Sequence, residues 1–155
     1  MNPQHPGKEA PMSTGPAGSL PVSAVVADDV VHLGPDATVA AVADALVSGE
    51  VGLVVLTKDD AGEGAAKDDV VGVVSERDIA RAVAERRPVE STPALEFAAT
   101  HLVWCPASAT VADVAVEMFE HYVRHVLVED NGRFAGVVSA RDLLGVYAAA
   151  DTVTD

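Results

Sequence analysis

From Val30 onward the chain alternates short continuous apolar runs with longer stretches whose apolar residues recur at helical spacing. Val30-Val31-His32-Leu33 predicts a short strand closed by Gly34-Pro35. Thr38 is placed as an N-cap, and Val39, Val42, Ala43, Leu46 and Val47 follow at i, i+3, i+4, i+7 and i+8, a helix that stops near Ser48-Gly49. Gly52 to Leu56 predicts a buried strand, and Lys58 to Asp69 a polar loop with Gly62 and Gly64. Val70 to Val74 is the next strand, and Glu76 to about Arg86 a helix ending before Pro88.

The second half repeats this order. Leu102-Val103-Trp104-Cys105 predicts a strand closed by Pro106. Thr110 caps a helix carrying Val111, Val114, Ala115, Met118 and Phe119 at the same helical spacing, with Asp113 completing a capping box; Ala41 holds the matching place in the first half. Arg124 to Val128 and Phe134 to Val138 read as a hairpin joined by Glu129-Asp130-Asn131-Gly132, and the last helix runs from about Ala140 to Ala149.

The halves align by arithmetic. Thr38 to Thr110 is 72 residues, as is Gly52 to Arg124, while Ser75 to Ser139 is 64. The offset falls by 8 at the tip of one hairpin, where the first half has its longer acidic loop. One loop insertion with every element kept marks an internal duplication. Its clearest trace is Gly72-Val73-Val74-Ser75-Glu76-Arg77-Asp78-Ile79, which returns as Gly136-Val137-Val138-Ser139-Ala140-Arg141-Asp142-Leu143 with six of eight positions identical. The expected organisation is a disordered Pro- and Gly-rich tail over 1–20, a first repeat over 21–88 and a second over 89–155.

Composition narrows the chemistry. The chain has 155 residues, 49% of them apolar, enough for a sizeable core. Aromatics are 4%, too few for base-stacking platforms, and 24 acidic against 10 basic side chains leave a formal charge of −14, which repels polyanions and anionic membranes. Neither a nucleic-acid polymer nor a membrane is therefore an expected partner. The one cysteine, Cys105, excludes an internal disulfide and any multi-cysteine zinc site. No stretch approaches the roughly 20 apolar residues of a membrane span, and the N-terminal stretch lacks a signal peptide's apolar segment, so a cytoplasmic protein is expected.

In each motif copy a strand delivers a serine into a helix N-terminus, where backbone N–H groups can hold an anion. Arg77, Arg141 and Arg124 are candidate counter-charges for phosphate. Ser-x-x-Asp before an apolar helix is equally a plain capping box, stabilising the helix by about 1 kcal/mol with no ligand. His121 and His125 are four apart, but the helix is expected to end near Tyr122, which denies them a shared face for a metal. Cys105 and Trp104 read as core or subunit-interface residues, and Asp59, Asp60, Asp68 and Asp69 lack EF-hand spacing. No nucleophile–base pair, metal cluster or dinucleotide fingerprint is present, so no enzyme is expected.

A strand–helix–strand–strand–helix unit used twice, each ending in Gly-x-x-Ser-x-x-Asp, resembles the CBS domain, and the pair resembles a Bateman module. The segment Pro-x-Ala-Thr-Val before the first helix and Arg124-His125-Val126-Leu127-Val128 are further matches. The resemblance covers about residues 21 to 149 and implies an α/β (α+β) fold of two β-α-β-β-α repeats about a pseudo-twofold axis. It also implies non-enzymatic sensing of an adenosine-containing ligand, AMP, ADP, ATP or S-adenosylmethionine, by a disc-like homodimer that acts on an unidentified regulated protein, with no other cofactor. Each ligand cleft would take the serine and aspartate of one repeat and the first strand of the other. One cleft would use Ser139, Asp142 and Val137 with Val31, Val51 and Gly52; the other, Ser75, Asp78 and Val73 with Val103, Val123 and Arg124. The aspartate would accept the ribose hydroxyls and the valines flank the purine. The resemblance places phosphate-contacting residues at Val26–Asp29 and Ala98–Thr100; Asp28 and Asp29 would repel phosphate, so the Ser75 copy is the expected anion site. The opposing expectation is a ligand-free structural or interaction module in which both Ser–Asp pairs only cap helices.

Overall fold

The computed structural model describes residues 16–27, 30–58, 62 and 64–154, with side chains through 151. Residues 1–15 of the expected tail, together with Asp28, Asp29, Asp59 and Asp60, lie outside the described residues. The fold is mixed α/β with two three-stranded sheets, ordered β1-β2-β3 and β4-β5-β6. The strands are β1 (Val31–Leu33), β2 (Leu53–Thr57), β3 (Val70–Ser75), β4 (Trp104–Pro106), β5 (His125–Asp130) and β6 (Arg133–Ser139). The helices are α1 (Val39–Gly49), α2 (Glu76–Ala84), α3 (Val111–His121) and α4 (Ala140–Thr154). None of these helices is long and apolar enough to cross a membrane.

The chain divides into two compact units that interleave along the sequence. One holds Ala27–Leu102 and Glu129–Gly136; the other holds the described residues up to Val26, then Val103–Val128 and Val137 onward. In the first, β1 runs parallel to β2 with Val31 opposite Val54, and β2 antiparallel to β3 with Val55 opposite Val73. Every residue of β2 is buried, as befits a central strand. The tip of the β5–β6 hairpin belongs to this unit. Ala66 pairs with Arg133, Lys67 N–H donates to Gly132 O at 2.9 Å, and Phe134 N–H to Ala65 O at 2.8 Å. Asn131 and Gly132 form the hairpin turn with φ of 53° and 78°, the positive angles that a two-residue turn needs.

Two short segments complete the units. Their helix-capping bonds follow from the free N–H groups of a helix's first turn. Val39 N–H donates to Thr92 O and Ala40 N–H to Val89 O, both at 2.9 Å, which docks the 89–99 segment on α1. In the second unit, Val22 N–H donates to Ala109 O at 2.7 Å and Val111 N–H to Leu20 O at 2.8 Å. A 3-10 turn in each segment (Ala94–Glu96, Val22–Ala24) then turns Ala94 and Val22, both 0% exposed, into the core. A further 3-10 turn at Ala17–Ser19 lies against α3 and α4, so close that a Cβ at Gly18 would come within 3.0 Å of Ala112 and of the Tyr147 hydroxyl. The second core gathers Val22, Cys105, Val111, Val114, Met118, Val126, Val128, Val138 and Leu143.

Candidate functional site

The strand-to-helix junctions that carry the motif come first, because strand geometry sets where each helix begins. Ser75 closes β3 in extended backbone (φ −106°, ψ 170°) and α2 starts at the next residue. Its N–H donates to Asp78 Oδ2 at 2.8 Å, and Asp78 N–H returns to Ser75 Oγ at 3.4 Å, a complete capping box. Ser139 closes β6 in the same way: Ser139 N–H donates to Asp142 Oδ2 at 2.8 Å and Asp142 N–H to Ser139 Oγ at 3.0 Å. Helix capping is thus met at both copies without any ligand. The next amides, Arg77 N–H and Arg141 N–H, have no acceptor among the described residues.

Beyond the caps the two pairs differ. The Ser75 hydroxyl also donates to Asp78 Oδ2 at 3.0 Å, and Asp78 Oδ1 lies 3.6 Å from the Arg81 guanidinium. Asp78 therefore has both oxygens engaged. Asp142 Oδ1 and the Ser139 hydroxyl proton have no partner among the described residues. Both aspartates are half-buried, which strengthens a charge-assisted hydrogen bond to an arriving hydroxyl.

The sequence-expected residues divide evenly between the units. Val31, Val51, Gly52, Val73, Ser75 and Asp78 lie in the unit of β1–β3. Val31 and Val51 are half-buried and flank Gly49, where a Cβ would meet their methyl groups at 3.1 and 3.6 Å. Gly52 is exposed beside Glu76, whose Oε1 is 3.9 Å from a Cβ built there. Val73 is buried, and both of its backbone groups are bonded to Ala99, N–H to O at 3.0 Å and O from N–H at 2.8 Å. That bridge occupies the Ala98–Thr100 stretch: Ala98 packs on the core, while Ala99 and Thr100 are exposed. Val26 packs on the core of the second unit.

Val103, Val123, Arg124, Val137, Ser139 and Asp142 lie together in that second unit. Arg124 O accepts the N–H of Ala140 at 2.8 Å, so the arginine stands at the start of α4, beside the Ser–Asp pair of its own repeat. Val103 and Val123 pack half-buried on the core, Val103 O accepting from Leu127 N–H at 2.9 Å. Val137 is buried in β6. His125, next to Arg124, has its imidazole pKa pushed below the ordinary 6.5 by burial first and by the Arg124 charge second; Asp142 pulls the other way. The chain's cationic candidates Arg77, Arg124 and Arg141 are exposed and make no ion pair among the described residues.

His121 ends α3 and pairs with Glu117 at 3.7 Å, while His125 opens β5, so the two histidines share no helix face. Among the described residues no group of three His, Cys, Asp or Glu is placed to hold a metal ion. Sequence reasoning missed Arg81 and Phe97. Arg81 donates to Phe97 O at 3.1 Å and its guanidinium lies 5.4 Å from the Phe97 ring, as does that of Arg87. The available signal was Arg81 three residues after Asp78 on a helix, an i,i+3 pair.

Known proteins share this fold. A CBS domain protein from Pyrobaculum aerophilum, solved in complex with AMP, superposes with a TM-score of 0.72 at 35% identity, over 86% of this chain and 99% of that one. A CBS-domain-containing protein from Agrobacterium tumefaciens superposes with a TM-score of 0.71 at 29% identity, covering 83% and 93%. A CBS domain pair solved with 5′-methylthioadenosine and S-adenosyl-L-methionine shares the fold at 18% identity and a TM-score of 0.70, covering 83% and 96%. No curated protein sequence matches the chain. The CBS domain model matches twice, over residues 22–85 and 94–149, and the chain belongs to the CBS domain family as a tandem pair of its repeats.

Proposed function

We propose that this chain is a regulatory module that binds an adenosine-containing ligand and performs no catalysis, in a cytoplasmic setting. The observation that carries the reading is the Ser139–Asp142 pair. It completes a helix cap yet keeps one carboxylate oxygen and one hydroxyl proton available at a helix N-terminus. Asp142 accepts ribose hydroxyls, while Ser139, Arg141 N–H and the Arg124 and Arg141 side chains face phosphate. Val103, Val123 and Val137 supply the apolar flank for the purine. The related Pyrobaculum protein's complex with AMP supports this ligand class.

Magnitudes favour the second pair over the first. The free first-turn amide is common to both helices, and a helix dipole contributes roughly 0.3–1 kcal/mol toward an anion. Hydrogen bonds to a charged carboxylate contribute about 1.5–3 kcal/mol, and only Asp142 has an oxygen uncommitted. A ligand-free module is the second reading, favoured by the completeness of both capping boxes. We also propose that Phe119 on α3, Tyr122 just past its end and Leu144 on α4, which are 81%, 94% and 69% exposed, are covered by a second copy of the chain.

A thermal-shift panel with AMP, ADP, ATP and S-adenosylmethionine tests the function. Ligand at 100 times its Kd stabilises by about 2.7 kcal/mol, or roughly 5–10 °C for a chain of this size. If none of the four moves the melting temperature at millimolar concentration, the ligand-free reading stands instead.

A further inference from the structure

We infer that Arg81 is an internal counter-ion that withholds the first Ser–Asp pair from ligand, so that the two motif copies divide into one closed and one open site. This rests on the adenosine-binding reading above and specifies which copy performs it. Arg81 is held from three sides: by Asp78 Oδ1 at 3.6 Å, by the Phe97 carbonyl at 3.1 Å and by the face of the Phe97 ring at 5.4 Å. Phe97 is 4% exposed, so this platform is fixed in the core. A guanidinium stacked on an aromatic ring and bonded to a carbonyl keeps its geometry better than a freely solvated one. With the Ser75 hydroxyl also on Oδ2, a ribose diol reaching Asp78 must compete with both an ion pair and a hydrogen bond.

The duplication supplies an internal comparison. The offset of 64 that carries Asp78 onto Asp142 carries Arg81 onto Gly145, and the offset of 72 that carries Thr110 onto Thr38 carries Phe97 onto Val25. Both parts of the clamp are missing from the second copy: the cation is a glycine and its aromatic platform an aliphatic. Gly145 is exposed, and a Cβ built on it meets nothing within 4 Å. Asp142 thus has no cation one helical turn on, and open space where the first copy carries its arginine.

Isothermal titration of the full chain with AMP tests the inference through stoichiometry, a readout that helix stability alone does not move. The wild type takes up one AMP per chain, Arg81→Ala takes up two, and Arg81→Gln, which keeps the side chain's length without its charge, also takes up two. Gly145→Arg, placed to pair with Asp142 as Arg81 does with Asp78, weakens AMP binding by up to about fivefold, the range of an exposed ion pair. Two AMP per wild-type chain, or one per chain in an Arg81→Gln protein of wild-type melting temperature, overturns the inference and leaves the adenosine reading intact. A wild type that binds no AMP while the arginine variants bind none either removes the reading and the inference together.

Discussion

Replacing Val22 by alanine is a direct test of the interleaved fold, because Val22 opens the first repeat in sequence yet is 0% exposed in the core of the second unit. The side chain sits among Cys105, Val111, Val114 and Met118, and is held there by Val22 N–H to Ala109 O at 2.7 Å. Truncation removes two methyl groups at about 0.8 kcal/mol each. The residual cavity adds about 24 cal/mol per Å³ that the surroundings fail to fill. The total is about 2–3 kcal/mol, or a fall in melting temperature of roughly 4–12 °C at 2–4 °C per kcal/mol. Urea unfolding followed by circular dichroism measures it, with Val47→Ala as a control; Val47 is 78% exposed, and its truncation changes stability by less than about 0.5 kcal/mol. Hydrogen exchange adds a local readout, since the Val111 amide bonded to Leu20 O should exchange faster in the variant. A Val22→Ala loss below about 0.5 kcal/mol, equal to the control, would refute the docking of this segment into the core.

His125 contributes a loss of stability in acid. Its folded pKa lies below the ordinary 6.5, so above that value both states are neutral and nothing is lost. As pH drops through 6.5 the unfolded chain takes up a proton that the fold resists, and stability declines until the half-buried imidazole is itself protonated. His125→Gln should flatten the decline that begins as pH falls through 6.5, in urea midpoints taken across the acid range; an unchanged slope contradicts the assignment. Gly72→Ala places a methyl 3.2 Å from both Ala98 Cβ and Ala99 O, so β3 must shift or the 89–99 segment lift, at about 1–3 kcal/mol in the same assay. Phe119→Glu should turn a dimer into monomers by sedimentation with the melting temperature of the monomer unchanged; a wild type already monomeric at high concentration removes the proposed interface.

Much of the fold was legible in sequence because local physics writes it there. The period after Thr38 and Thr110, the Thr110–Asp113 capping box and the Asn131-Gly132 turn each combine a short-range signal with its structural result. The segments around Val22 and Ala94 were not legible: three residues of 3-10 helix carry no hydrophobic period, and their partners lie on helices far away in sequence. The last helix runs to Thr154 rather than Ala149, since Ala148, Ala149, Ala150 and Asp151 contain no breaker. At the motif, the Ser–Asp geometry was readable from spacing, but the engagement of Asp78 was not. Arg81 meets Phe97 across 16 residues, and only the aligned Gly145 hinted that the copies differ. The family pattern places Arg124 with the Ser75 copy, and the sequence carried no sign of its backbone bond to Ala140 at the start of α4.

The central claim is that Asp142 receives an adenosine-containing ligand, and AMP affinity of Asp142→Asn measures it most directly. Asparagine still accepts the Ser139 N–H and preserves the helix cap, but it presents one acceptor oxygen without charge where a ribose diol needs two. Loss of a charge-assisted pair at about 1.5–3 kcal/mol corresponds to a 10- to 150-fold weaker Kd. Asp142→Asn should show that loss at an unchanged melting temperature for the free protein, while Asp78→Asn binds AMP as the wild type does. Wild-type affinity in Asp142→Asn would contradict the account.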